Sequence, residues 1–150
     1  MVTEGTQIDN FTLEDNDGNP VSLKDFAGKK VVIYFYPKDD TPGCTKEACG
    51  FRDNYDAILA KGAVVIGISA DSVKSHSGFK KKYDLPFYLL SDPAKTVIQL
   101  FGAWGEKSMY GKTYEGILRS TFILDEAGKV IKVYAKVKPQ EHAEEILKEL

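Results

Sequence analysis

The chain holds two cysteines, Cys44 and Cys49. A thiol does chemistry when it is ionised, reachable and flanked by groups that stabilise what it attacks. Cys44 belongs to the stretch VVIYFYPKDDTPGCTKEACGF, residues 31–51. Thr41 suits an N-cap, and Pro42 suits the first helical position, where a missing N–H costs nothing. That count puts Cys44 in the first helical turn, where unpaired N–H groups and the helix dipole favour an anion. The thiol is therefore expected to ionise readily and to act as a nucleophile. Cys49 follows five residues later, one and a half turns along the same helix. Local donors are the Thr41 hydroxyl and the backbone N–H groups of Gly43 and Cys44. Lys46 is the only nearby basic residue, and a helix can point it outward. The other candidate cation is Arg119, one of two arginines with Arg52. It reads as part of an apolar strand with Ile117, Leu118, Phe122 and Ile123, where a guanidinium needs a partner or a job.

These residues need elements to hold them. Val31 to Tyr36 is a continuous β-branched and aromatic run, expected as a strand buried on both faces. Pro37 ends it, since proline cannot donate to a ladder. The helix from Thr41 is expected to reach Lys61 and stop at Gly62. Residues 63–69, 87–90, 117–124 and 130–137 read as strands. Residues 72–83, 92–100 and 139–150 read as helices, the second opened by Asp92-Pro93. Residues 11–23 form a hairpin around Asn16-Asp17-Gly18, followed by one helical turn closed at Gly28. Residues 102–116, with four glycines and three aromatics, read as an ordered loop over one end of the sheet. His76 and His142 fall on polar helices taken as exposed, and Trp104 and Tyr110 read as packing residues. Alternating strands and helices in the middle imply an α/β fold, a mixed sheet with helices on both faces. Cys44 follows directly from a strand's C-terminal end, where small ligands bind in open α/β sheets.

Length and composition narrow the classes. The 150 residues read as one domain, 1–150, with 43% hydrophobic and 28% charged residues, ordinary for a globular protein. A net charge of −2 with mixed signs points to neither nucleic acid nor a membrane surface. No apolar run approaches the ~20 residues that span a bilayer. The N-terminus shows no signal-peptide succession, so a cytoplasmic location is expected. Two closely spaced cysteines in a reducing compartment point to redox chemistry or metal. One C-x4-C pair with two distant histidines does not supply a four-ligand zinc site, and no cofactor is expected.

The run Pro37-Lys-Asp-Asp-Thr41-Pro-Gly-Cys44-Thr-Lys-Glu47-Ala-Cys49 resembles the signature of the peroxiredoxins. The offset to the second cysteine, and the later run WGEKSMYGKTYEGILRSTFILD with Arg119, resemble the Q-type or bacterioferritin comigratory subfamily. The resemblance implies a thioredoxin-like fold and reduction of hydrogen peroxide or organic hydroperoxides. It implies Cys44 as peroxidatic nucleophile, Cys49 as resolving cysteine, and an intramolecular disulfide between them. Thr41 and Arg119 would hold the peroxide and the thiolate, Pro37 would shield the pocket, and Glu47 would orient the arginine. A thioredoxin-like dithiol would recycle the enzyme. The resemblance favours a monomer and leaves a dimer open.

Each of these residues also has a plain structural reading. Cys44 and Cys49 could be small core residues, Thr41 a cap, Pro37 a strand terminator, Glu47 a solvated first-turn acid, and Arg119 an ion-pair partner. Two other functions compete, a thiol–disulfide oxidoreductase and a non-catalytic redox sensor. The first would normally carry C-x-x-C, which the five-residue offset is not. In a regular helix, positions five apart have Cα atoms roughly 8.7 Å apart. A disulfide wants at most about 6.8 Å, so the helix must open for Cys44 and Cys49 to join.

Overall fold

The computed structural model describes residues 1–150. A hairpin comes first, β1 (Thr12–Glu14) and β2 (Pro20–Ser22). Its turn is set by Asp15, whose Oδ1 accepts from the N–H groups of Asp17 and Asn19, and by Gly18 at φ +81°. A 3-10 turn, Leu23–Phe26, leads into β3 (Lys30–Phe35). Then come α1 (Pro42–Asp53), α2 (Tyr55–Ala60), β4 (Ala63–Ser69), α3 (Val73–Tyr83), β5 (Tyr88–Ser91) and α4 (Thr96–Leu100). The chain ends with β6 (Trp104–Met109), β7 (Lys112–Ile117), β8 (Ser120–Leu124), β9 (Val130–Tyr134) and α5 (His142–Glu149).

Seven strands make one sheet in the order β2-β1-β5-β4-β3-β8-β9. The pairs β3–β4 and β4–β5 are parallel, while the hairpin and β8–β9 add antiparallel flanks. Strand β3 explains why the run at 31–36 is apolar throughout. Val31, Ile33 and Phe35 face a core built with Val97, Ile98 and Phe101, while Val32, Tyr34 and Tyr36 face one built with Ala48, Phe51, Ile58, Phe79 and Ile146. Thus α1, α2, α3 and α5 cover one face, and α4 with the N-terminal segment covers the other. The sheet is mixed and covered by helices on both sides, as the alternation of strand and helix anticipates.

Several expectations need correction. The helix from Thr41 is two helices that meet at Asn54, which leaves helical geometry at φ −108° and ψ 6° and whose side-chain amide shares the Gly50 carbonyl, at 2.8 Å, with its own backbone N–H at 3.2 Å. Residues 102–116 are mostly the hairpin β6–β7, with Tyr110 and Gly111 at the tip at φ 52° and 76°. Polar residues on both strands hid its period. Tyr110 at that tip is 96% exposed and packs no core, whereas Trp104 does pack against one. The strand expected at 117–124 is broken, leaving Leu118 and Arg119 between β7 and β8. The helix expected from Asp92 begins at Thr96, and Asp92 reaches forward to accept the N–H groups of Thr96, Val97 and Ile98. Strand β9 stops at Tyr134 rather than at 137. His76 and His142 are buried, not exposed.

Candidate active site

Helix α1 begins as the sequence dictates. Thr41 is its N-cap with an extended backbone, Pro42 is the first helical residue, and the Thr45 N–H closes on the Thr41 carbonyl at 2.8 Å. Cys44 therefore sits in the first turn and Glu47 one turn on, the same face of the helix turned to the sheet.

Arg119 meets both. Residue Ser120 pairs with Phe35 at the C-terminal end of β3, so the break before β8 lies where α1 begins. The break is itself fixed, by Leu118 N–H on the Ala103 carbonyl at 2.7 Å and Ser120 Oγ on the Leu118 carbonyl at 2.9 Å. From it the guanidinium donates through Nη1 to Glu47 Oε1 at 2.7 Å and through Nη2 to Cys44 Sγ at 3.1 Å. Such a fork holds a carboxyl group and a sulfur at once in fixed geometry, which a lysine cannot do. Gly43 leaves room for it, since a Cβ there would stand 3.2 Å from Nη2.

Glu47 is 1% exposed, so its reading as a solvated acid is wrong. Burial pushes its pKa up to about 7, with Arg119 pulling the other way. Its second oxygen, Oε2, has no hydrogen-bond partner. Cys44 is also 1% exposed, a more closed position than an accessible nucleophile was expected to hold. Its neighbours Thr41, Gly43 and Arg119 remain partly in water.

Thr41 does not join the cluster here. Its hydroxyl donates to the Lys38 carbonyl at 2.9 Å and makes neither the cap bond nor a bond to the sulfur. Pro37 follows β3 directly and is half-buried. Cys49 is half-buried further along α1, and both thiols are free.

Sequence reasoning missed three buried or half-buried polar groups nearby. Lys107 of β6 donates to the Ile117 carbonyl at 2.9 Å, two residues before Arg119. Burial lowers its pKa first and the Arg119 charge second, while Cys44 raises it. The second is His142, wedged between Phe51 and Tyr134, with Nε2 2.7 Å from Thr121 Oγ1. Burial lowers its pKa, although Glu145 raises it. The third is His76, grouped with Asp39 and Asp71 so that one ligand-type atom of each lies within 4.8 Å of the others. Each of those atoms is already engaged in hydrogen bonds within the chain. A helical spacing of His76, Phe79 and Tyr83 was the available sign that α3 has a buried face.

Residues 5–133 match the AhpC/TSA family. A putative peroxiredoxin bcp of Coxiella burnetii is 54% identical over 137 residues, covering 91% of either chain. Among solved structures, the bacterioferritin comigratory protein of Xanthomonas campestris, studied for alkyl peroxide reduction, superposes with a TM-score of 0.88 at 41% identity. That match covers 93% of this chain and 88% of the other. A cysteine-to-serine variant of Xylella fastidiosa PrxQ superposes with a TM-score of 0.94 at 33% identity, covering 99% and 95%. The mixed sheet with its covering helices is accordingly the thioredoxin-type fold of those proteins. The chain belongs to the AhpC/TSA family, among the peroxiredoxins of the Bcp or Q type.

Proposed function

We propose that this chain is a thiol peroxidase in which Cys44 reduces hydroperoxides and Cys49 resolves the product. The observation that carries this reading is the Arg119 bridge, with Nη2 3.1 Å from Cys44 Sγ. The cation stabilises the thiolate, and then the oxygen that leaves as the peroxide bond breaks. In the first step the thiolate attacks one peroxide oxygen. The S–O bond forms, the O–O bond breaks, and the leaving alkoxide or hydroxide takes a proton. The sulfur becomes a sulfenic acid and the peroxide an alcohol or water. In the second step the Cys49 thiolate attacks that sulfur, an S–S bond forms, and the hydroxyl leaves as water. A dithiol protein of thioredoxin type then exchanges the disulfide back to two thiols.

Glu47 orients Arg119 in this scheme, Thr41 turns from Lys38 to the bound peroxide, and Pro37 screens the sulfur. The work is that of a single thioredoxin-like unit, residues 1–150, read as a monomer with a dimer as the alternative, in the cytoplasm, where free thiols persist. No helix is long and apolar enough to cross a membrane.

The second step needs α1 to open, because both cysteines lie inside one regular helix, roughly 8.7 Å apart at Cα. Amide exchange over residues 42–50 should therefore rise on oxidation, and equal protection in both redox states argues against the pairing. Stopped-flow peroxide decay tests the rest. Cys44→Ser should abolish turnover, while Cys49→Ser should spare the first oxidation and block recycling by a dithiol. A wild-type rate no better than that of a free thiol removes the reading.

A further inference from the structure

The chain that delivers Cys44 is tied down by a buried polar knot that the reaction above does not use. Asp39, five residues before Cys44, is 8% exposed. Its Oδ1 accepts from the Tyr36 hydroxyl at 2.6 Å. Its Oδ2 accepts from Ser75 Oγ at 2.7 Å and lies 2.7 Å from His76 Nδ1. His76 is wholly buried, and its Nε2 lies 3.0 Å from the Leu90 carbonyl oxygen. A carbonyl only accepts, so Nε2 carries a hydrogen, and the contact between Nδ1 and Asp39 shares a further one. The Asp39 N–H donates to Asp71 Oδ2 at 2.8 Å, which also accepts from Ser69 Oγ at 2.7 Å.

The next residue is held as firmly in shape, if not in energy. Asp40 has a left-handed backbone at φ 56°, and its carboxylate accepts from Lys82 Nζ at 2.7 Å and from the Tyr83 hydroxyl. That pair is exposed and worth little by itself. The buried part differs, because a polar network with every member satisfied rigidifies its surroundings. The loop 37–41 is thereby fastened to α3 and to the ends of β4 and β5. Beyond it the hold weakens at once. The first turns of α1 bury only Cys44, Glu47 and Ala48.

We propose that Asp39 and His76 are positioning residues that make the Asp40–Thr41 junction a fixed pivot, about which α1 opens and to which it recloses. The inference rests on the reading of Cys44 as the nucleophile. Each turnover must return Sγ to 3.1 Å from Arg119, and one immovable end makes that return reproducible. A misplacement of about 1 Å can cost on the order of a hundredfold in rate.

The two chemical steps separate this role from general support. Rapid quench with mass detection follows, first, Cys44 oxidation by hydrogen peroxide and, second, closure of the disulfide. Asp39→Ala should slow the first step roughly ten- to a hundredfold while closure stays equal or quickens. Tyr36→Phe and Ser75→Ala each remove one donor to Asp39, fold more readily, and should show a smaller split of the same sign. First-step rates equal to wild type in these folded variants overturn the pivot. So does a fall of both steps by one common factor. The wild-type control keeps the two readings apart. A wild type that fails to oxidise at Cys44 refutes the peroxidase, whereas an active wild type with equally active variants refutes the pivot alone.

Discussion

At the scale of residues, one guanidinium does two things at once. Arg119 satisfies half of a buried carboxylate and one sulfur, and lysine has no fork with which to do both. Arg119→Lys should leave the fold intact and lower the second-order peroxide rate by about 10²–10³, the cost of one lost donor at a developing oxyanion. A variant within threefold of wild type in stopped-flow would remove Arg119 from the chemistry. Glu47 makes a different kind of prediction. Its carboxyl is raised from 4.5 to about 7 in the folded chain. An acid raised in this way favours folding while protonated. That contribution is full below pH 4.5 and is lost as pH rises through about 7, on the order of 3 kcal/mol in all. Wild type should lose melting temperature between pH 5 and 8 relative to Glu47→Gln. His142, lowered by burial, works in the opposite sense, so the difference between the two proteins is the quantity to read. Identical pH profiles would mean that Glu47 ionises freely. The sequence showed the types and the order of these residues, Cys44, Glu47 and Arg119 included. It could not show that Glu47 is buried, because only the arrival of Arg119 from far along the chain makes burial tolerable.

At the scale of elements, the proposed pairing of Cys44 with Cys49 requires α1 to be both a helix and a hinge. Two glycines bracket its cysteines, Gly43 and Gly50, and a mid-helix glycine costs roughly 0.5–1 kcal/mol relative to alanine. A Cβ at Gly50 would stand 3.5 Å from Ala143 Cβ, an ordinary contact, so alanine fits. Gly50→Ala should thus steady the helix and slow disulfide closure by about two- to fivefold, with the first oxidation unchanged. Closure at the wild-type rate would show that the opening stops short of Gly50. The sequence located α1 well, because a cap, a proline and an apolar face all agree there. It failed where the signals conflict. Asn54 breaks a period that otherwise continues to Ala60, and β6–β7 pairs through residues such as Glu106–Glu115 and Lys107–Tyr114, which show no apolar alternation. The histidines were misplaced for a related reason. On α3 and α5 a single buried face is concealed among lysines and glutamates.

At the scale of the molecule, the sheet is tightly packed where β4 passes between β3 and β5. A Cβ at Gly67 would fall 2.8 Å from the ring of Tyr34 and 3.0 Å from Leu89. All of these are fully packed, so Gly67→Ala should cost about 1–3 kcal/mol as overpacking, visible as a lower melting temperature. An unchanged melt would mean that the two-sided core yields more readily than its burial implies. The overall architecture was legible because β3 and β4 are apolar without alternation, which only a sheet covered on both faces explains. The junction between β7 and β8 was not, since an arginine in an apolar run looks like a strand residue until its long-range partners are known. Those partners lie 72 and 75 positions earlier in the chain. A ribosome working from the N-terminus therefore exposes Cys44 well before its cation exists. On the proposed chemistry, a half-made or truncated copy carries a sulfur without its arginine, and the pair is completed only when the last third of the polypeptide has folded back onto the first.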